Sequence, residues 1–96
     1  MKVTEVKVKL TQEHTVKAYV NIVLDDCFII KGLKIIQAKN LFIAMPSDKR
    51  GETFRDIAYP INSEMRYIIE EAVFNAYGQE MDRVRNEYSA YHKNRA

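Results

Sequence analysis

The sequence predicts an α+β fold: an antiparallel β-meander of about five strands, followed by one or two C-terminal α-helices packed on the sheet. Apolar and polar residues alternate with a period of two through the first half of the chain, which is typical of half-buried strands. Short polar connectors join these segments without an intervening helix, as in a meander. After Pro60 the apolar residues recur every three or four positions, the spacing of an amphipathic helix.

Alternation and turn residues define the predicted strands. Residues 2–10 and 16–24 each place apolar side chains on one face and polar ones on the other, and the polar segment TQEHT joins them. Asp25-Asp26 indicates a turn. Shorter strands are predicted at 27–30, 33–38 and 41–45, with Gly32 and Lys39-Asn40 between them.

The helical part is predicted from capping residues and periodicity. Asn62 and Ser63 both suit an N-cap, and Glu64 suits the positive end of a helix dipole. The apolar stripe expected to cover the sheet comprises Met65, Ile68, Ile69, Ala72, Val73 and Ala76. Gly78 is expected to end or kink this helix. A second helix with a thinner apolar seam is predicted from Met81, Val84, Tyr88 and Tyr91.

Length and composition predict one domain over residues 1–96, with a sheet part (1–45), a basic loop (46–62) and a helical part (63–96). A chain of 96 residues with 47% hydrophobic content suits a single core. No apolar run approaches the roughly 20 residues that span a bilayer. The alternating N-terminus is not a secretory signal, and the single Cys27 cannot form an internal disulfide. These features favour a cytoplasmic location.

Charge is distributed unevenly along the chain. The net charge is +2. Residues 1–45 hold seven lysines against four acidic residues, residues 46–62 hold three charges of each sign, and residues 63–96 hold five basic against six acidic residues. A weakly basic sheet part joined to a nearly neutral helical part permits phosphate binding without demanding it.

The sequence shows no set of groups that would make an enzyme. His14 and His92 are far apart, and neither is a sequence neighbour of Cys27 or of another histidine. Metal sites need several ligands at characteristic spacing, which is absent here. Turn formation is the commoner role for an Asp-Asp pair. We therefore expect no catalytic activity, no metal, no cofactor and no small-molecule substrate.

The segment 41–63 holds the strongest candidate for binding. Lys49, Arg50 and Arg55 lie within seven residues, and Met45 and Ile57 are expected to anchor this loop on either side. Gly51 is expected to adopt a positive φ at the loop tip. Composition leaves two interpretations open, since the cations can pair locally with Asp48, Glu52 and Asp56 or contact phosphate groups.

The same segment carries a family resemblance. LFIAMPS at 41–47, a charged loop and FRDIAYPINS at 54–63 closely resemble the stage V sporulation protein G family of septation and sporulation regulators. FIIKGLKII at 28–36, the initial VTEVKV and the segment KAYVNIVLDD also fit. The resemblance covers roughly residues 1–77, whereas the mixed-charge tail departs from the short, variable tails typical of the family.

The resemblance implies a small cytoplasmic regulator that binds DNA, with RNA as a further ligand, and that forms a homodimer through its sheet. Carried over to this chain, the basic residues between MPS and FRD are Lys49 and Arg50, and Arg55 lies within FRD itself. Arg66, in the first turn of the predicted helix, is expected to extend this surface. The alternative is a non-enzymatic adaptor that docks a protein partner through the sheet edge or the C-terminal helix.

Overall fold

The computed structural model describes the backbone of residues 1–93 and the side chains of residues 1–88. Within these residues it contains six strands and one helix. In chain order they are β1 (Val3–Leu10), β2 (Val16–Leu24), β3 (Phe28–Gln37), β4 (Leu41–Ala44), β5 (Ser47–Arg50), β6 (Thr53–Asp56) and α1 (Ser63–Lys93). The predicted α+β fold, an antiparallel sheet followed by a C-terminal helix, is confirmed.

Strands β1 to β4 form an antiparallel meander in which each strand pairs with the next along the chain. The β2–β3 turn contains Asp25 and Asp26, both with positive φ (50° and 54°), a region that aspartate tolerates better than most residues. The Cys27 N–H donates to the Leu24 carbonyl at 3.0 Å and closes the turn. Asp25 also accepts a hydrogen bond from the Lys2 N–H at 2.8 Å. The predicted Asp-Asp turn is confirmed, and the bond from Lys2 ties it to the start of the chain.

The predicted strand break at Gly32 is wrong, because β3 runs continuously through this residue. Val20 of β2 is opposite Leu33 of β3. Ile22, two residues after Val20, is opposite Ile30, three residues before Leu33. The extra residue makes a β-bulge, and Gly32 adopts a φ of +91° there, which glycine does without a Cβ clash. Two predicted strands are therefore one bulged strand, and the main sheet has four strands.

The core lies between one face of this sheet and the first half of α1. Its buried hydrophobic side chains are Ala18, Val20, Ile22, Leu24, Leu33, Ile35, Ile43, Met45, Ile69 and Val73. The even-numbered residues of β2 from Ala18 to Leu24 all belong to this set, as the alternation predicted, whereas Val16 at the start of the strand is half-buried. On the helix, Ile69 and Val73 are buried, whereas Ile68 of the predicted stripe is 38% exposed. The partly buried Phe74 and Tyr77, which the predicted stripe did not include, pack against the core, so the buried face of α1 differs from the predicted stripe.

Asn62, and not Ser63, is the N-cap of helix α1, and the helix continues through Gly78. The Asn62 Oδ1 accepts a hydrogen bond from the Met65 N–H at 2.8 Å, as an N-cap side chain does. Of the two outcomes predicted for Gly78, an end of the helix is wrong, since α1 continues to Lys93 and includes the predicted second helix, and a kink stays a prediction. One glycine lowers helix stability by only about 1 kcal/mol relative to alanine. Arg83 pairs with Glu80 and Glu87 one turn on either side, so helical contacts continue beyond the glycine.

The described side chains of α1 beyond residue 80 are exposed to solvent. Every described side chain from residue 81 to 88 is exposed, including the apolar Met81, Val84 and Tyr88. The predicted seam therefore lies on an exposed helix, and the side chain of Tyr91, its last member, falls outside the described residues. Although α1 spans 31 residues, no helix in the described part of the chain is apolar over a length that would cross a membrane.

Candidate functional site

The predicted basic loop contains a β-hairpin, formed by β5 and β6 as a two-stranded sheet of its own. Arg50 and Thr53 are the last opposed pair, so Gly51 and Glu52 make a two-residue turn. Gly51 has a φ of +65°, and glycine at the first position of a two-residue loop characterises a type II′ hairpin turn. The predicted left-handed glycine at the tip is confirmed.

The base of the hairpin is closed by backbone rather than by two apolar side chains. The Ile57 N–H donates to the Pro46 carbonyl at 2.8 Å. Met45 is buried, as predicted for the first anchor, but Ile57 is 68% exposed, so its predicted role as the second anchor is wrong. Every residue of β5 and β6 is exposed. The hairpin therefore projects from the core and offers both of its faces to solvent.

The register of the hairpin distributes the predicted cations over two faces. Directly opposed residues project to the same side, and consecutive residues project to opposite sides. The opposed pairs are Ser47–Asp56, Asp48–Arg55, Lys49–Phe54 and Arg50–Thr53. We call the side that carries Arg50 and Arg55 the arginine face, and the side that carries Lys49 and Phe54 the aromatic face. The structure thus places Arg50 and Arg55 on the same face and Lys49 on the opposite face.

Local ion pairs neutralise little of this charge. The Arg50 Nε lies 4.0 Å from the Asp48 Oδ2, and both side chains are exposed, so this contact adds little stability. Among the described residues, Lys49 and Arg55 form no ion pair. Local pairing, the first of the two interpretations of the sequence, therefore applies only to Arg50.

The aromatic face contains a residue that sequence reasoning missed. Phe54 is 68% exposed, and the Lys49 Nζ lies over its ring at 5.8 Å from the centroid, within the range of a cation–π interaction. A sequence signal for this pair existed. A two-residue turn at Gly51-Glu52 places residues equidistant from it in register, and Lys49 and Phe54 are each two residues away.

Arg66, the fourth predicted contact, belongs to neither face of the hairpin. It lies in the first turn of α1, where its N–H donates to the Asn62 carbonyl at 3.2 Å. Its side chain is exposed and forms no ion pair among the described residues. The neighbouring Met65 lines a groove together with Met45 and Pro46. This end of α1 therefore shares a groove with the base of the hairpin.

That groove is apolar and open, with a volume of about 370 Å³. It lies between the sheet, the segment after the hairpin and the start of α1. It is lined by Met1, Ile22, Leu24, Phe28, Ile30, Leu33, Met45, Pro46, Ala58, Tyr59, Pro60, Met65 and Ile69. A lining of this kind suits hydrophobic groups rather than phosphates, so the groove and the hairpin differ in the chemistry they accept.

Reactive side chains are dispersed over the described residues, where no three His, Cys, Asp or Glu residues form a metal-binding group. Cys27 is an exposed free thiol in the β2–β3 turn, and His14 is exposed in the β1–β2 connector. The side chain of His92 lies outside the described residues. Tyr19 donates a hydrogen bond to Glu13 at 2.9 Å, and this bond raises the pKa of the Tyr19 phenol.

Comparison with known proteins decides the family. The sequence model of the SpoVG family matches residues 1–79. The chain belongs to the SpoVG family. The septation protein SpoVG of Bdellovibrio bacteriovorus is 54% identical over 83 residues, which are 84% of this chain and 77% of that protein.

Two further SpoVG relatives show similar coverage. The septation protein SpoVG of Clostridioides difficile is 54% identical over 80 residues, which are 80% of this chain and 87% of that protein. The protein of this name from an Anaeromyxobacter species (strain Fw109-5) is 46% identical over 83 residues, covering 84% and 86% of the two chains. The predicted family resemblance is confirmed. The SpoVG match ends at residue 79, so the exposed seam of α1 lies beyond it.

Proposed function

We propose that this SpoVG-family chain is a nucleic-acid-binding regulator that acts as a homodimer, without catalysis or a cofactor. The β5–β6 hairpin is the proposed contact surface, and DNA is the proposed ligand, with RNA as the alternative. The observation that carries the proposal is the exposure of Lys49, Arg50 and Arg55 on a projecting hairpin with one long ion pair. Arginine offers phosphate a planar fork of donors, and lysine offers a mobile charge.

The regulated process follows from the relatives. They carry the name septation protein, so we place the action of this chain in septation or sporulation-related control in the cytoplasm. Phosphate contacts supply affinity and set the position on the nucleic acid, whereas sequence preference requires contacts to base edges. The two cations on the arginine face can reach one backbone together, and a homodimer would present this pair twice.

The test compares two triple variants with the same net charge. Lys49→Ala/Arg50→Ala/Arg55→Ala removes the hairpin cations, whereas Lys2→Ala/Lys39→Ala/Arg85→Ala removes exposed cations from three other places. All six replaced side chains are exposed. Both variants should therefore keep the circular dichroism spectrum of the parent. We expect the hairpin variant to lose binding to labelled DNA or RNA and the control to retain most of it.

Two outcomes would contradict the proposal. Equal losses in both triple variants would show that overall charge, and not the hairpin, determines binding. Unchanged binding in the hairpin variant would remove Lys49, Arg50 and Arg55 from the site. In either case the contact surface would have to lie elsewhere on the molecule.

A second candidate function, a protein-interaction adaptor, is favoured by the seam of Met81, Val84 and Tyr88. Exposed apolar residues at spacings of three and four on one helix are the usual anchors of helix-in-groove recognition. A protein partner that stays bound after nuclease treatment and at high salt, and that is lost on Val84→Glu but not in the hairpin variant, would favour the adaptor.

A further inference from the structure

We infer that Phe54 is a base-stacking platform, so that the hairpin prefers unpaired nucleotides to a closed duplex. This inference rests on the proposed function and specifies its ligand. Phe54 is the only aromatic residue of the hairpin, and at 68% exposure it is among the most exposed phenylalanines of the described chain. The hairpin carries three cations and three carboxylates, and an aromatic ring so exposed next to its cations suits a ligand with both aromatic and anionic groups.

The Lys49–Phe54 pair has the composition of such a site. The Lys49 Nζ lies 5.8 Å from the ring centroid, and Phe54 remains 68% exposed beside it. Proteins that bind single strands combine cations along the backbone with aromatic rings on which successive bases stack. Lys49 supplies a cation directly opposite Phe54 on the aromatic face, and Arg50 and Arg55, each next in sequence to a member of this pair, supply cations on the arginine face.

The stacking geometry selects against a duplex. In a closed duplex the flat faces of each base are covered by its neighbours, whereas the bases of single strands, loops and ends can be splayed onto a side chain. A ring that protrudes from the aromatic face therefore gains a partner only where bases are unpaired. The arginine face is free of this restriction, because phosphates are present in both kinds of ligand.

A hydrophobic contact with a protein is the competing explanation for Phe54. Ile57 provides an internal control, because it is equally exposed at 68% and lies just beyond β6, but it has no π-system. Phe54→Leu keeps the apolar character and removes the ring, whereas Phe54→Tyr and Phe54→Trp keep a ring. If bases stack on Phe54, the affinity of the variants should follow the presence of an aromatic ring. If the contact is a hydrophobic one with a protein, their affinity should follow the apolar size of the side chain.

The experiment measures affinities for single-stranded RNA, single-stranded DNA and duplex DNA of equal length by fluorescence anisotropy. We expect Phe54→Leu to weaken single-strand binding by about tenfold and to change duplex binding little, while Phe54→Tyr and Ile57→Ala stay near the parent. The chain contains no tryptophan. Phe54→Trp therefore introduces the only tryptophan, which can be excited selectively over the six tyrosines, and a stacked base should quench its fluorescence.

The outcomes separate the two proposals. In one outcome the parent binds through the hairpin cations while Phe54→Leu has no effect and Phe54→Trp shows no quenching. That result would overturn the stacking platform and leave the proposed function standing. An equal loss with Phe54→Leu and Ile57→Ala would also overturn it, because apolar contact would then be the cause. No binding of the parent to any of the three ligands would overturn both proposals. Comparison of the RNA and DNA arms identifies which single strand is preferred.

Discussion

Single side chains of the hairpin differ in role although they are neighbours in sequence. Lys49 and Arg50 are adjacent, yet the pleat of β5 directs them to opposite faces. Arg50 and Arg55 are five positions apart, yet the register places them on one face. Sequence reasoning found the cations from their charge alone. It could not assign them to faces without the hairpin turn, which fixes the register.

Gly51 determines that register, and its substitution should loosen the hairpin. A Cβ at this position meets no atom within 4 Å, so the expected effect comes from its φ of +65°. Left-handed backbone costs a residue with a Cβ roughly 1–2 kcal/mol. We predict that Gly51→Ala weakens the cross-strand NOEs between β5 and β6 and lowers nucleic-acid affinity, with the four-stranded sheet unchanged.

Gly51→Asn is the matched control, because asparagine tolerates left-handed backbone better than alanine. It should preserve the hairpin signals more fully than Gly51→Ala. If alanine and asparagine were equally well tolerated, the left-handed turn would not be what holds β5 and β6 in register.

Secondary-structure elements were predictable where one hydrophobic pattern dominates. The alternation in β1 and β2 and the periodicity after Pro60 correctly predicted the sheet and the helix. β5 and β6 were missed because SDKR and TFRD contain one apolar residue between them, so no alternation marks them as strands. Gly32 was interpreted as a break, and Gly78 as an end or a kink, because a glycine weakens strands and helices locally. Neither ends its element, since β3 absorbs Gly32 in a bulge and α1 passes through Gly78.

Gly78 is a site where α1 can be stabilised. It lies inside the helix, it is exposed, and a Cβ there would meet no atom within 4 Å. Alanine has a higher helix propensity and a smaller loss of backbone entropy on folding. We predict that Gly78→Ala raises the free energy of unfolding by about 0.5–1 kcal/mol, measured by urea denaturation.

Gly78→Ser serves as the intermediate control, because serine lies between alanine and glycine in helix propensity. The three chains should rank in that order of stability. A loss of stability on Gly78→Ala would show that α1 needs a glycine here, for a bend or for close approach of a partner.

The molecule as a whole has a covered and an uncovered side. Helix α1 packs on one face of the sheet, and β3 and β4 carry exposed apolar residues on both faces. These are Phe28, Ile29, Leu41 and Phe42, between 38% and 62% exposed. Exposed apolar residues on and beside an edge strand are typical of a surface that pairs with another chain, which supports the proposed homodimer.

We predict that the parent chain is a dimer in light scattering and that Phe42→Glu, which places a charge on the edge strand β4, makes it monomeric. Burying an unpaired carboxylate in an interface is strongly unfavourable, whereas an exposed carboxylate costs little. Tyr67→Glu is the control, because Tyr67 is an exposed aromatic residue on α1 rather than on the sheet. A parent that stays monomeric at every concentration tested would contradict the homodimer, as would a dimer unaffected by Phe42→Glu.

Binding through the hairpin cations is best tested by the salt dependence of nucleic-acid affinity. Each phosphate contact contributes about −0.9 to the slope of log K against log salt for duplex DNA and about −0.7 for a single strand. We predict that the parent binds with a steep slope and that Lys49→Ala/Arg50→Ala/Arg55→Ala makes it shallower by roughly two to three. The same slope in both proteins, or no binding by the folded parent at low salt, would contradict the proposed function.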